Sequence, residues 1–212
     1  MVKDHHGQGP SRHYAGQFTC MTNLFLDTET IGFSPCHLMS FAAIIDNDDG
    51  REVARLSCYV QPYYQDEVSA GAFKIHGLTK KYCDTCGLPI KQALSIFSSL
   101  SRENPMVVAH NIKFDTKVLQ LAYSSQNLEI PAFSNTYCTM ERSTAMVRLE
   151  KTNGSGYKWP KLSELHRFLF DADFENQHTA FGDCLAMRKC YYELRRRGDI
   201  LQYGKKEIRI QR

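Results

Sequence analysis

The sequence has no apolar run near the roughly 18 to 20 residues that a membrane-spanning helix needs, so such a helix is excluded. Its polar N-terminus, MVKDHHGQGPSRHYAGQ, lacks the apolar core of a signal peptide, which argues against secretion. Eight cysteines in 212 residues fall well short of a disulfide scaffold. They read as reduced thiols of a cytoplasmic, nucleoid or nuclear protein. Internal repeats and low-complexity tracts are missing, which excludes solenoids and fibres. The net charge is only +3, which permits a polyanion partner without proving one. What remains is 42% hydrophobic and 23% charged residues, enough for one well-cored globular domain.

The charge is uneven. Residues 188–212 hold nine Lys/Arg against three Asp/Glu, and the rest of the chain is mildly acidic. Arg195–Arg197, Lys205, Lys206, Arg209 and Arg212 could touch phosphates or simply form a solvated helix end. The pattern divides the chain into a flexible leader (1–20), a folded domain (21–198) and a basic C-terminal tail (199–212).

Three strands open the domain: Thr22–Asp27, His37–Asn47 and Arg51–Gln61, the last two joined by the turn-rich DNDDG. Apolar residues at Ile90, Ala93, Leu94, Phe97 and Leu100 give a helix over Leu88–Leu100. Met106–Ala109 reads as a buried strand, and Asn111 as the N-cap of a helix to about Tyr123. A short strand at Thr136–Cys138 leads to a helix from about Met140. Pro160 suits the first turn of the next helix, and the last long one runs from about Ala180 to Arg197, capped by Gly198. This order predicts an α/β fold, a mixed sheet of three antiparallel then parallel strands flanked by helices.

Asp27 and Glu29 lie two apart at the end of an apolar strand, so both face one way, roughly 6–7 Å apart. Like charges about 4 Å apart at an effective dielectric near 20 repel by about 4 kcal/mol, which a hard divalent cation would offset. Asp115 follows a strand-to-helix junction, where α/β sheets hold their sites and where an acid also suits the helix dipole. His178 and Asp183 would diverge by roughly 140° on one helix. They converge only if His178 precedes the helix and Asp183 sits in its first turns. Cys83 and Cys86 form one C-x-x-C, but zinc would need two more ligands, and His76 and Cys138 are not at patterned spacing.

Together FLDTETIGF, AHNIKFDTKVL and HTAFGDCLAM resemble the three motifs of the DnaQ-like, DEDDh-type 3′–5′ exonucleases. The resemblance spans roughly Asn23–Leu194, with IHGLT and YKWPKLSEL at family-like places between the motifs. It implies an RNase H-like fold and two divalent ions, Mg²⁺ or Mn²⁺. By resemblance Asp27 bridges the ions, Glu29 and Asp183 are further ligands, Asp115 is the fourth acid, and His178 is the general base. Imidazole, which titrates near neutral pH, suits that proton transfer. Thr28, Thr30, Ile31, His76, Asn111 and Phe114 are the implied substrate contacts. Ile31 stands where a Thr is frequent, and it either wedges against the last base or packs. Phe114 either stacks on a base or belongs to the core.

The implied reaction is hydrolysis from the 3′ end of single-stranded or overhanging DNA or RNA, with DNA favoured, releasing nucleoside 5′-monophosphates. Three roles fit the enzyme: a polymerase proofreading subunit, a stand-alone DNA trimming enzyme and an RNA 3′-end maturation enzyme; any protein partner would be a polymerase or a replication or repair protein. A non-catalytic nucleic-acid-binding or adaptor module on the same fold is the reading from another class.

Overall fold

A computed structural model describes residues 22–101 and 105–197, together with the strands Leu201–Tyr203 and Lys206–Ile208. The leader, Gly198 and most of the basic tail lie outside the described residues. Three strands come first: β1 (Asn23–Thr30), β2 (Leu38–Asp46) and β3 (Glu52–Tyr59). Three helices follow: α1 (Ala70–His76), α2 (Lys80–Cys86) and α3 (Ile90–Leu100). Then come β4 (Met106–Ala109), α4 (Ile112–Ser125), β5 (Thr136–Cys138), α5 (Thr139–Val147), α6 (Leu162–Phe170) and α7 (Ala180–Arg196).

The main sheet has the order β3-β2-β1-β4-β5. β1–β2 and β2–β3 pair antiparallel, and β1–β4 and β4–β5 pair parallel, which is the mixed sheet the sequence predicts. The β2–β3 turn closes as expected: the Asn47 side chain accepts the Arg51 N–H (2.8 Å), and Gly50 takes a φ of 76°. Two short strands, β6 (Leu201–Tyr203) and β7 (Lys206–Ile208), pair within the stretch read as tail.

β1 is central and buried on both faces, so its LFL run is continuous rather than alternating. Its odd residues face α7: Phe25 meets the rings of Tyr191 and Tyr192, and the Cys184 thiol donates to the Phe25 carbonyl. Asp46, fully buried at the end of β2, pins α7 to the sheet by accepting from Arg188 Nε and the Tyr192 hydroxyl, each at 2.7 Å. Asp27 and Glu29 continue the odd series and so point toward the start of that helix. Thr28, on the even series, turns to α4.

Three local expectations are corrected. Asn111 occupies the N-cap position of α4 but has a φ of 84°, and its side chain makes no capping bond. Asn tolerates this left-handed conformation better than most residues. Pro160 precedes α6 instead of entering it; Lys161 is the N-cap, its N–H held by Glu164 (2.8 Å). The sequence analysis also assigned no helices to α1 and α2. Among the described residues no helix is long and apolar enough to cross a membrane.

The described cysteines are all free. Cys83 is buried with its thiol toward the Met39 carbonyl, while Cys86 is exposed, so the C-x-x-C pair splits between core and solvent.

Candidate active site

β1, α4 and α7 bring the acids together where the carboxyl ends of β1 and β4 lie side by side. Asp27, Glu29 and Asp183 each offer an oxygen within 4.8 Å of the other two. Among the described residues this is the one cluster of His, Cys, Asp or Glu side chains arranged to hold a metal ion. Asp115 stands one step behind, 3% exposed, with Oδ1 accepting from the Thr28 hydroxyl at 2.8 Å.

Crowding acids at a buried strand end makes their charged forms costly. Burial, then Asp115, Asp183 and Glu29, hold Asp27 well above the usual carboxylate range. Burial first, then Asp183 and Asp115, push Glu29 up to about 8. Burial lifts Asp115 to about 7 despite the Thr28 hydrogen bond. Asp183 is raised by burial, opposed by the His178 backbone N–H and the His178 charge. Such a donor set, all oxygen and mutually repelling, fits hard divalent cations.

His178 lies in the loop before α7 and Asp183 in the first turn, the arrangement their spacing required. His178 is exposed with φ of 65°, and its backbone N–H donates to Asp183 Oδ1 (3.2 Å). Thr179 caps the helix: its hydroxyl donates to the Asn176 carbonyl (2.8 Å) and accepts the Gly182 N–H (3.1 Å). Gly182 is pressed against that carbonyl, where an added Cβ would sit 2.1 Å from the oxygen. The loop holding His178 can therefore follow this path only over a glycine.

The RNase T exonuclease family model matches residues 24–191, a span that holds all three acidic segments. The chain belongs to this family. The family is one of exonucleases, and the RNase H-like mixed sheet expected from the motifs holds. Solved structures agree on the fold. E. coli exonuclease I in complex with a dA16 oligonucleotide is 19% identical with a TM-score of 0.67, covering 84% of this chain and 41% of its own. The zinc-bound E. coli exonuclease I–ssDNA complex is 21% identical with the same score and coverage. A moderately thermophilic exonuclease I from Methylocaldum szegediense is 18% identical with a TM-score of 0.65 and again the same coverage. The chain thus spans about two-fifths of the length of these enzymes. No curated protein matches its sequence.

Beside the family's acids lies a cavity of about 210 Å³ lined by Thr28, Glu29, Thr30, Gly32, Phe33 and Phe114, with α1 as its far wall. Phe114 is half-buried and meets Phe33 edge-on, centroids 5.8 Å apart. It therefore belongs both to the core's edge and to the cavity wall. Phe33, 80% exposed, escaped the sequence reading although it closes the DTETIGF motif. A second cavity, about 190 Å³, lies on the other side of Glu29 between Ser40, Ser57, His178 and Phe181. A larger one of about 560 Å³, along α4 and α5, touches none of the acids.

Two of the expected substrate contacts also have places in the packing of the fold. Ile31 is 2% exposed and packs with Met39, Tyr64 and Cys83, so it is core and no wedge. Both ring nitrogens of His76 are taken by backbone. Nε2 donates to the Thr30 carbonyl (2.9 Å), and Nδ1 accepts the Leu78 N–H (3.0 Å). This fixes the neutral tautomer, and burial lowers the His76 pKa accordingly. His76 holds the end of β1 in place. Asn111 is half-buried at the start of α4, and the Thr28 hydroxyl is committed to Asp115.

Proposed function

We propose that this chain removes nucleotides one at a time from the 3′ end of single-stranded nucleic acid, DNA in the first place, releasing nucleoside 5′-monophosphates. The observation that carries this reading is the convergence of Asp27, Glu29 and Asp183 within 4.8 Å, with Asp115 behind them. Domain bounds of 21–198 are proposed with it, since α7 supplies the last acid and packs on β1 and β2.

Asp27, Glu29 and Asp183 would hold Mg²⁺ or Mn²⁺ directly, and Asp115 would complete the charge balance. When bound, a pair of such ions lowers the pKa of the attacking water and offsets charge on the phosphoryl and leaving oxygens. His178, exposed at the pocket mouth, takes the water's proton on a ring nitrogen. Its loop position leaves the imidazole free, because the backbone N–H alone makes the bond to Asp183. The terminal nucleoside enters the cavity that Phe33 and Phe114 line against α1. Ring faces there accept any base, consistent with trimming that ignores sequence. His76 keeps the Glu29–Thr30 strand end aimed at the pocket. The preference for DNA draws support from the similar E. coli exonuclease I, which holds a dA16 oligonucleotide.

The deciding experiment uses 5′-labelled DNA and RNA oligonucleotides with the wild-type chain, with and without EDTA, and with Asp27→Ala. A ladder shortening from the 3′ end, lost with EDTA and in the variant, is expected. Binding without shortening would instead identify a non-catalytic module, and equal loss of RNA and DNA would overturn the DNA preference.

A further inference from the structure

The connection from α5 to α6 is a hairpin that the reaction scheme above does not use. Lys158 N–H donates to the Leu149 carbonyl (2.7 Å), Lys151 N–H to Gly156 (3.1 Å), and Glu150 bridges Tyr157. Gly154 and Gly156, with φ of 68° and 77°, make the tip. The hairpin ends at Trp159, the chain's single tryptophan, which is 62% exposed; Tyr157 is 41% exposed. Lys158 between them turns back to Glu164 (2.6 Å) and anchors the stem. Residues 148–161 hold four Lys/Arg against one acid, Glu150, and Arg148, Lys151 and Lys161 are exposed.

The hairpin is tied to the strand-to-helix junction that leads to Asp115. The Pro160 carbonyl, next to Trp159, accepts from His110 Nε2 at 2.9 Å. His110 immediately follows β4 and lies five residues before Asp115, so the end of the hairpin is fastened to the connection that carries the second-motif acid. The pocket itself is anionic and attracts a phosphate chain only through bound cations. A strand extending beyond it needs a cationic surface elsewhere.

We propose that this hairpin with its flanks, residues 148–161, is a second nucleic-acid contact, which grips the substrate strand just upstream of the terminal nucleotide. This rests on the exonuclease reading. Trp159 and Tyr157 stack on upstream bases, and Arg148, Lys151 and Lys161 meet the phosphates. Exposed rings set among cations are what holds single strands without reading sequence. A protein partner would call for a contiguous apolar patch, and the rings are flanked instead by Lys151, Thr152, Asn153 and Ser155.

The test compares a labelled oligonucleotide with the p-nitrophenyl ester of thymidine 5′-monophosphate, which is too short to reach the hairpin. In Trp159→Ala the oligonucleotide KM should rise about tenfold, or about 1.4 kcal/mol, with ester hydrolysis unchanged and Trp159→Phe restoring most of the loss. Lys151→Glu with Lys161→Glu should raise that KM further and flatten its salt dependence. Because Trp159 is the only tryptophan, its fluorescence in EDTA should be quenched by the oligonucleotide and not by thymidine 5′-monophosphate. An unchanged oligonucleotide KM in Trp159→Ala, or equal quenching by the mononucleotide, would overturn the proposal. A wild-type chain that hydrolyses neither substrate would sink the exonuclease reading separately, and the fluorescence titration, needing no turnover, would still decide the hairpin.

Discussion

The Thr28 hydroxyl carries one of the sharper demands at this site, because it donates to a carboxylate that is almost wholly buried. Thr28→Val keeps the shape and removes the donor. Divalent-ion affinity should fall about 10–100-fold, the usual cost of losing an outer-shell partner, and Thr28→Ser should recover it. Calorimetric titration of Mn²⁺ checks this. Asp27→Asn should act in opposite directions on stability and activity. It removes one of four repelling acids, so the metal-free melting temperature should rise while nucleotide release disappears. His178→Ala should lower kcat by about 10²–10⁴-fold with little change in melting temperature, since its ring makes no bond that holds the fold together. The acids and His178 were legible in the sequence because short motifs carry them. The tasks of Thr28 and His76 were not. Each depends on a partner 46 or more residues away that only the folded chain brings near. The choice between packing and wedging was open for Ile31 for a related reason: its burial is decided by Tyr64 and Cys83, from distant segments.

At the scale of elements, α7 places the third motif and its capping turn sets the angle. Gly182→Ala would drive a Cβ into the Asn176 carbonyl and push the His178 loop outward. Overpacking of this kind costs about 1–3 kcal/mol. Activity should drop far more than stability does, and nucleotide release measured beside thermal melting separates the two. β1, β2, β4 and α3–α7 were read from the sequence nearly in place, because long apolar periods and buried runs are strong signals. α1 and α2 were not, and both have only seven residues. α1 buries no residue at all, so there was no periodicity to find. Their caps, Ser69, Gly77 and Thr79, were the available signs.

For the whole molecule, the sheet order sets β1 beside β4 in parallel, which gathers acids from three distant segments at one end. The cost is electrostatic, and it has a sign. Folded Asp and Glu pKa values raised above those of the unfolded chain, about 3.9 and 4.3, give stability that is full at low pH. That stability is lost as pH rises through about 7 and 8 for Asp115 and Glu29. His110 works the other way. Burial pushes it down to about 4, so its contribution is full above about pH 6.5 and is lost as pH falls through that lower value. The metal-free chain should therefore melt highest on the acid side of neutrality, and Mg²⁺ should shift the maximum to higher pH. Melting curves across pH with and without the ion check this.

The linear order of the three motifs has one more consequence. Ribosomes deliver Asp27 early and Asp183 more than 150 residues later, on the last described helix. A nascent polypeptide consequently lacks one of the three clustered carboxylates until Asp183 has been made, so the acid cluster assembles late in synthesis.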